Sequence, residues 1–397
     1  MLKIAGRILN FSVWLGIVAL VLVIFVLPFG TSTLIALGYY PVFSGQWWLD
    51  GLHQAQVWAM LVFFWVWVFF VGSCFASFLN VVAWRVPRGK SILGSSHCPQ
   101  CNIKLGLRDN LPVLGWMRNE GRCNNCELPI PVRYLLAELI LGATFLTLFV
   151  LQTVSGGMTI PFRTLYGIAG IENILFQPQA DLLITLGYHL TLLSLIFTLA
   201  IAATEKFTAP ISLVIFGIIA AAGFQCLAPA PGVLDFRFGN PTQDFIANRF
   251  IYLISNPQDF AISIGLGIVA SGLCFMAIGM PVGDRTHGAF ACLLLIGIWL
   301  GWQSVISITL ISFLLSPVKS VNACGKLLFA TLAHLCLWRL QTHCQWWPGP
   351  ASGLQGLALG GVYLSVFAFV SRTTTINRDE SDKEATIDLS GAIGDVE

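Results

Sequence analysis

Four cysteines carry the plainest chemistry in this chain. Cys98-Pro99-Gln100-Cys101 is followed, after 21 intervening residues, by Cys123-Asn124-Asn125-Cys126. Two residues between sulfurs let one tight turn present both to a single ion, and two such turns complete a tetrahedron around Zn²⁺. Four soft ligands leave no position for a water, so the predicted site is structural zinc rather than catalytic zinc. A pair of redox dithiols is the other use of this spacing; the paired repeat and a reducing cytosol argue against it. His97 adjoins the first pair, but four sulfurs already fill the coordination shell. The other seven cysteines (Cys74, Cys226, Cys274, Cys292, Cys324, Cys336 and Cys344) lie singly, mostly in apolar stretches. They are expected to pack as small hydrophobes, not to form a disulfide framework.

The elements that position these thiols belong to a membrane. Of 397 residues, 56% are hydrophobic and 10% are charged, against about 25% charged in soluble domains. Lipid is the solvent such a chain is built for. The 13 Trp and 29 Phe fit bilayer interfaces and helix packing. A net charge of +2 is too small to suggest a nucleic-acid partner. The predicted fold is an all-α polytopic membrane protein, with about 8–10 transmembrane helices and a small cytosolic zinc-ribbon-like loop domain.

Apolar runs long enough to cross about 30 Å of hydrocarbon are expected near 9–29, 57–82, 134–151, 182–203, 209–226, 260–280, 327–340 and 354–370. The first, behind Lys3 and Arg7, has no small-x-small cleavage box and reads as an uncleaved anchor. Residues 288–317, with Gly301 near their middle, are long for one span and short for two; a tight helical hairpin satisfies the positive-inside rule better than a single helix. Between 85 and 133 lie Arg85, Arg88, Lys90, Lys104, Arg108, Arg118, Arg122 and Arg133, which places this loop in the cytoplasm. It is too small to fold on apolar contacts alone, and metal binding would supply the missing free energy. The expected organisation is an anchor and outside loop (1–55), a region containing the tetracysteine loop (56–145, loop 85–133), a membrane domain (182–341), a last membrane helix (342–371) and a disordered acidic tail (372–397).

The residues around the cysteines form an ordered series. Gly72-Ser73-Cys74-Phe75-Ala76-Ser77-Phe78-Leu79-Asn80 opens it, and Trp84-Arg85-Val86-Pro87 follows. After the first knuckle come Asp109-Asn110-Leu111-Pro112-Val113-Leu114, then Gly121-Arg122 and the second knuckle, then Pro131-Val132-Arg133-Tyr134 leading to Glu138. From Gly72 to Phe145 this series resembles the amino-terminal part of the bacterial type IV prepilin leader peptidases. That resemblance implies an aspartic membrane peptidase of the bacterial inner membrane. Such an enzyme cuts basic leaders from prepilins or pseudopilins on the cytosolic side, then methylates the new amino terminus with S-adenosylmethionine. It also implies roles in type IV pilus assembly and type II secretion. No Gly-rich nucleotide fingerprint appears in the sequence, so that cofactor rests on the resemblance alone.

The family's second half carries two catalytic aspartates, and here the likeness breaks. The first pattern falls on Ala203-Thr204-Glu205-Lys206-Phe207-Thr208-Ala209-Pro210-Ile211, with Ala203 at the catalytic Asp position and Ile211 at the acid after proline. The second falls on Pro281-Val282-Gly283-Asp284, keeping the acid. An aspartic peptidase needs one ionised carboxylate to take a proton from water and one protonated carboxyl to polarise the scissile carbonyl. Asp284 cannot fill both roles alone, and Glu205 is the nearest substitute. Without function, Glu205 is a solvated partner of Lys206 and Asp284 an interfacial helix stop. His189 and His334 read as hydrogen-bonded packing histidines, and Gly356, Gly360 and Gly361 as close helix contacts. Three expectations follow: a divergent peptidase and methyltransferase using Asp284 and Glu205, an inactive relative that binds pilins or scaffolds a secretion assembly, or a relative that keeps only methyl transfer.

Overall fold

The computed structural model describes residues 46–98, 100–106, 108–161, 170, 174, 179–205, 207, 209–227, 257–277, 286–315, 318 and 321–342. The expected first span, the last span, the acidic tail and Asp284 lie outside them. The described chain is helical: α1 (Gln46–Arg85), α2 (Leu114–Arg118), α3 (Val132–Leu148), α4 (Ala180–Thr204), α5 (Ile211–Leu227), α6 (Pro257–Ala277), α7 (Thr286–Leu300), α8 (Trp302–Leu314) and α9 (Ala323–Thr342). Among the described residues four helices are long and apolar enough to cross a membrane: Ala55–Arg88, Val132–Val154, Ala180–Thr204 and Ala323–Gln341. The apolar helices in α5 to α8 are shorter. The chain divides into two compact units: the first comprises Met1–Arg85, Gly89–Met158 and Thr164–Leu183, and the second Val86–Arg88, Thr159–Arg163 and Ile184–Glu397.

Helix ends follow local chemistry. Pro87 disfavours continued α-helix at Val86, so α1 passes into a 3₁₀ turn at Val86–Arg88. Gly89 then takes φ 63°, and Lys90 N–H returns to the Arg85 carbonyl at 3.0 Å, a glycine stop. Pro131 stands immediately before α3, and Pro257 opens α6, where a missing N–H costs nothing. Gly301, at φ 83° and ψ 170°, breaks the apolar run of 288–317 into α7 and α8. Both pieces pack on α6.

In the first unit α1 and α3 are the packed pair. They approach through glycine: a Cβ on Gly142 would stand 2.9 Å from the Phe69 carbonyl oxygen, and one on Gly72 would stand 2.8 Å from the Phe145 side chain. Ser73 seals the crossing by donating to Phe69 O at 3.0 Å within its own helix and to Glu138 O at 3.1 Å across the interface. In the second unit α6 and α7 meet through Gly267 and Gly297, where added Cβ atoms would strike the facing backbone. Ser271 bonds Gly267 O at 2.7 Å and Leu293 O at 2.8 Å. The core beside them is aromatic. The Tyr188 hydroxyl donates to Trp299 O, and Trp299 Nε1 donates to Gly217 O at 3.0 Å. His334 lies fully buried between Ser304 (3.1 Å) and Ser307 (3.2 Å), as a packing histidine should.

Candidate functional site

The loop between α1 and α3 brings its four cysteines together. The four Sγ atoms lie within 4.8 Å of one another. Cys98 to Cys126 and Cys101 to Cys123 are each 3.9 Å apart. Zn–S bonds of about 2.3 Å put tetrahedral sulfurs ~3.8 Å apart, so the donor set and its spacing fit that ion. Among the described residues this is the cluster of His, Cys, Asp and Glu that can hold a metal ion. All four thiols are free.

The two knuckles are built alike. Cys98 N–H reaches Ile103 O at 2.9 Å, and Cys123 N–H reaches Leu128 O at 3.0 Å. Asn102 N–H returns to Cys98 O and Glu127 N–H to Cys123 O, each at 2.9 Å. The residue after each second cysteine is left-handed, Asn102 at φ 55° and Glu127 at φ 56°. Single antiparallel bridges, His97 with Lys104 and Arg122 with Pro129, close the two turns. Backbone amides also aim at sulfur. The Ile103 backbone, then the Asn125 side chain, pull the Cys101 thiol down to about 6. The backbone amides of Cys126 and Asn125 lower Cys123. Such hydrogen bonds favour thiolate, the form that binds metal.

Side chains around the knuckles hold the loop in shape. The Arg85 guanidinium donates to the carbonyls of Ser91 and Ile92 (3.3 Å), Leu93 (3.2 Å) and Ser95 (3.1 Å). Asp109 Oδ1 accepts from Asn119 Nδ2 at 3.0 Å and from Asn124 Nδ2 inside the second knuckle. Trp116 donates to Ile130 O at 3.2 Å and covers Gly121, where a Cβ would stand 2.6 Å from its ring. Glu138, buried on α3, accepts from Val113 N–H at 2.7 Å. Sequence reasoning quoted Asp109 and Glu138 without giving either a task. For Glu138 the available signal was an acid inside an apolar helix; Asp109, in the loop, carried no such signal.

Ala203 and Glu205, which the sequence suggested for a peptidase site, are in the second unit. Ala203 lies in the last turn of α4, and Glu205 follows the helix, half-buried, its N–H bonded to Ala202 O at 3.1 Å. A Cβ placed on Gly288 would lie 3.1 Å from Cys324 Sγ and 4.0 Å from the Ala203 Cβ. Position 203 therefore faces the first turn of α7 among small groups. Asp284 precedes that helix and lies outside the described residues, so its distance to Glu205 is not defined.

Comparison with known proteins follows this division. The family model of the bacterial peptidase A24 N-terminal domain matches residues 70–152. A prepilin leader peptidase/N-methyltransferase of Myxococcus xanthus is 46% identical over 81 residues, 20% of this chain and 24% of that relative. A type 4 prepilin-like proteins leader peptide-processing enzyme of Escherichia coli is 36% identical over 94 residues, 19% of this chain and 35% of the relative. The chain thus spans about a quarter and a third of these two curated relatives. A longer match, to the prepilin leader peptidase/N-methyltransferase of Dickeya chrysanthemi, is 26% identical over 270 residues, 62% of this chain and 77% of that relative. No solved structure matches significantly. The segment that carries the four cysteines is thus similar to the bacterial peptidase A24 N-terminal domain, and the chain is similar to prepilin leader peptidase/N-methyltransferases.

Proposed function

We propose that this membrane protein is a divergent prepilin leader peptidase of the bacterial plasma membrane, with its cysteine loop on the cytoplasmic face. The tetracysteine cluster inside the family-matched segment carries this reading. Structural zinc held by Cys98, Cys101, Cys123 and Cys126 would make the basic loop a rigid platform for prepilins or pseudopilins with basic leaders. S-adenosylmethionine would supply the methyl group for modifying the product's amino terminus; among the described residues none is assigned to hold it.

Cleavage in this reading uses Asp284 and Glu205 as the carboxyl pair. One takes a proton from the attacking water while the other, protonated, polarises the scissile carbonyl. Two like charges in one site favour sharing a single proton. With Ala203 in place of the first acid, the longer Glu205 reaches in from two residues on, and cutting is slow. The absence of a carboxyl at Ala203 and Ile211 favours a second reading, an inactive relative that docks pilins or scaffolds a secretion assembly.

Membranes carrying the chain and a prepilin with a basic leader, with mass spectrometry of the product's amino terminus, test both. The peptidase reading expects cleavage that falls by about 10²-fold or more in Asp284→Asn and in Glu205→Gln. Cleavage that appears only in Ala203→Asp would establish the scaffold reading instead. The same spectrum reports methylation.

A further inference from the structure

Glu138 joins three parts of the first unit. Its backbone carbonyl accepts from Ser73 of α1 at 3.1 Å. Its carboxylate accepts from Val113 N–H in the metal-bearing loop at 2.7 Å. The residue is 8% exposed. A buried carboxylate in an otherwise apolar helix is costly unless its partners are built in, and here they are.

The loop partner is itself unusual. Val113 sits at φ 60° and ψ −55°, and Leu114 N–H closes back on Pro112 O at 2.6 Å. This is a γ-turn of the rare positive-φ kind, strained for any residue with a Cβ and more so for a β-branched one. Such a conformation persists only where the surroundings over-determine it. On its other side the turn is tied to the metal knuckle. Asp109 binds Asn124, which lies between Cys123 and Cys126. Gly115 rests so close to Asp109 O that a Cβ there would collide. A continuous path runs from the second knuckle through Asp109 and the Val113 turn to Glu138 and the α1–α3 pair.

We propose that Glu138 is a positioning residue: its carboxylate latches the strained Val113 turn and so fixes the metal-bearing loop in one orientation on α1 and α3. The latch holds Asn110, Leu111 and Leu114 outward, all three exposed, as a presented surface next to the membrane helices. It acts whether or not the chain cuts prepilins.

Hydrogen exchange on the purified full chain loaded with zinc tests this, read by mass spectrometry over residues 110–118 with bound zinc counted in parallel. Glu138→Ala should exchange there about tenfold faster or more while keeping its zinc. Glu138→Gln, whose amide oxygen can accept the same N–H, should stay near the natural rate. Adding Val113→Gly to Glu138→Ala should restore protection, since glycine takes positive φ without a Cβ clash; a mere loss of helix packing would not be rescued this way. If Glu138→Ala fails to fold, Glu138→Asp, one methylene short of Val113, replaces it with the same expectation. Unchanged exchange in the Ala or Asp variant overturns the latch. So does Gln behaving like Ala, zinc lost together with protection, or a glycine that rescues nothing.

Discussion

The two units close their helix pairs with the same device. Gly72 and Gly142 bring α1 to α3, and Ser73 bonds both a carbonyl one turn back and one across the interface. Gly267 and Gly297 bring α6 to α7, and Ser271 makes the same two bonds. What the pairs support differs. Beside the first, four sulfurs converge with the spacing a tetrahedral ion needs. In the second, Ala203 at the end of α4 faces Gly288 in the first turn of α7, with no carboxyl at that contact. The same packing device can thus carry different side-chain chemistry, because helix packing and site chemistry depend on different atoms.

The largest effect should come from the metal side. Cys98→Ser or Cys123→Ser should take bound zinc from about one per chain to none, since metal binding of this kind is worth ~10 kcal/mol or more to a loop this small. Rapid proteolysis within 89–131 and a zinc count would report it. Cys336→Ser, in the second unit, should leave both readouts unchanged. Zinc loss from that variant would break the contrast between the units.

Next come the glycine crossings. Gly142→Ala and Gly267→Ala should each cost roughly 1–3 kcal/mol by overpacking, read as lower midpoints of thermal unfolding in detergent. Comparable losses support one device used twice; a silent Gly267→Ala would end that equivalence. The smallest effect separates the knuckles. Glu127→Gly should stabilise the loaded loop by about 1 kcal/mol, because glycine removes the left-handed penalty. Asn102→Gly should gain less, because asparagine already tolerates φ 55°. Denaturant midpoints followed at the loop would rank the two.

Much of this was legible before any coordinates. The Cys-x-x-Cys repeat picked out the four cysteines that converge, since that spacing is itself the local geometry of a knuckle. The apolar runs named α1, α3, α4 and α9 as membrane-crossing candidates, because length and hydropathy are properties of a segment. Gly301 marked the break in the run of 288–317, because a glycine's backbone freedom acts within a residue or two.

Contacts between distant segments were decided only by the folded chain. Val113 and Glu138 are 25 residues apart in sequence, and no periodicity links a γ-turn to a helical carboxylate. Ser271 meets Leu293, and position 288 meets Ala203, only after α6 and α4 have each docked against α7. Composition and spacing act along the chain, so they determined the elements and the four clustered cysteines. Orientation of one element on another depends on which surfaces fit together, and that fit exists only in three dimensions.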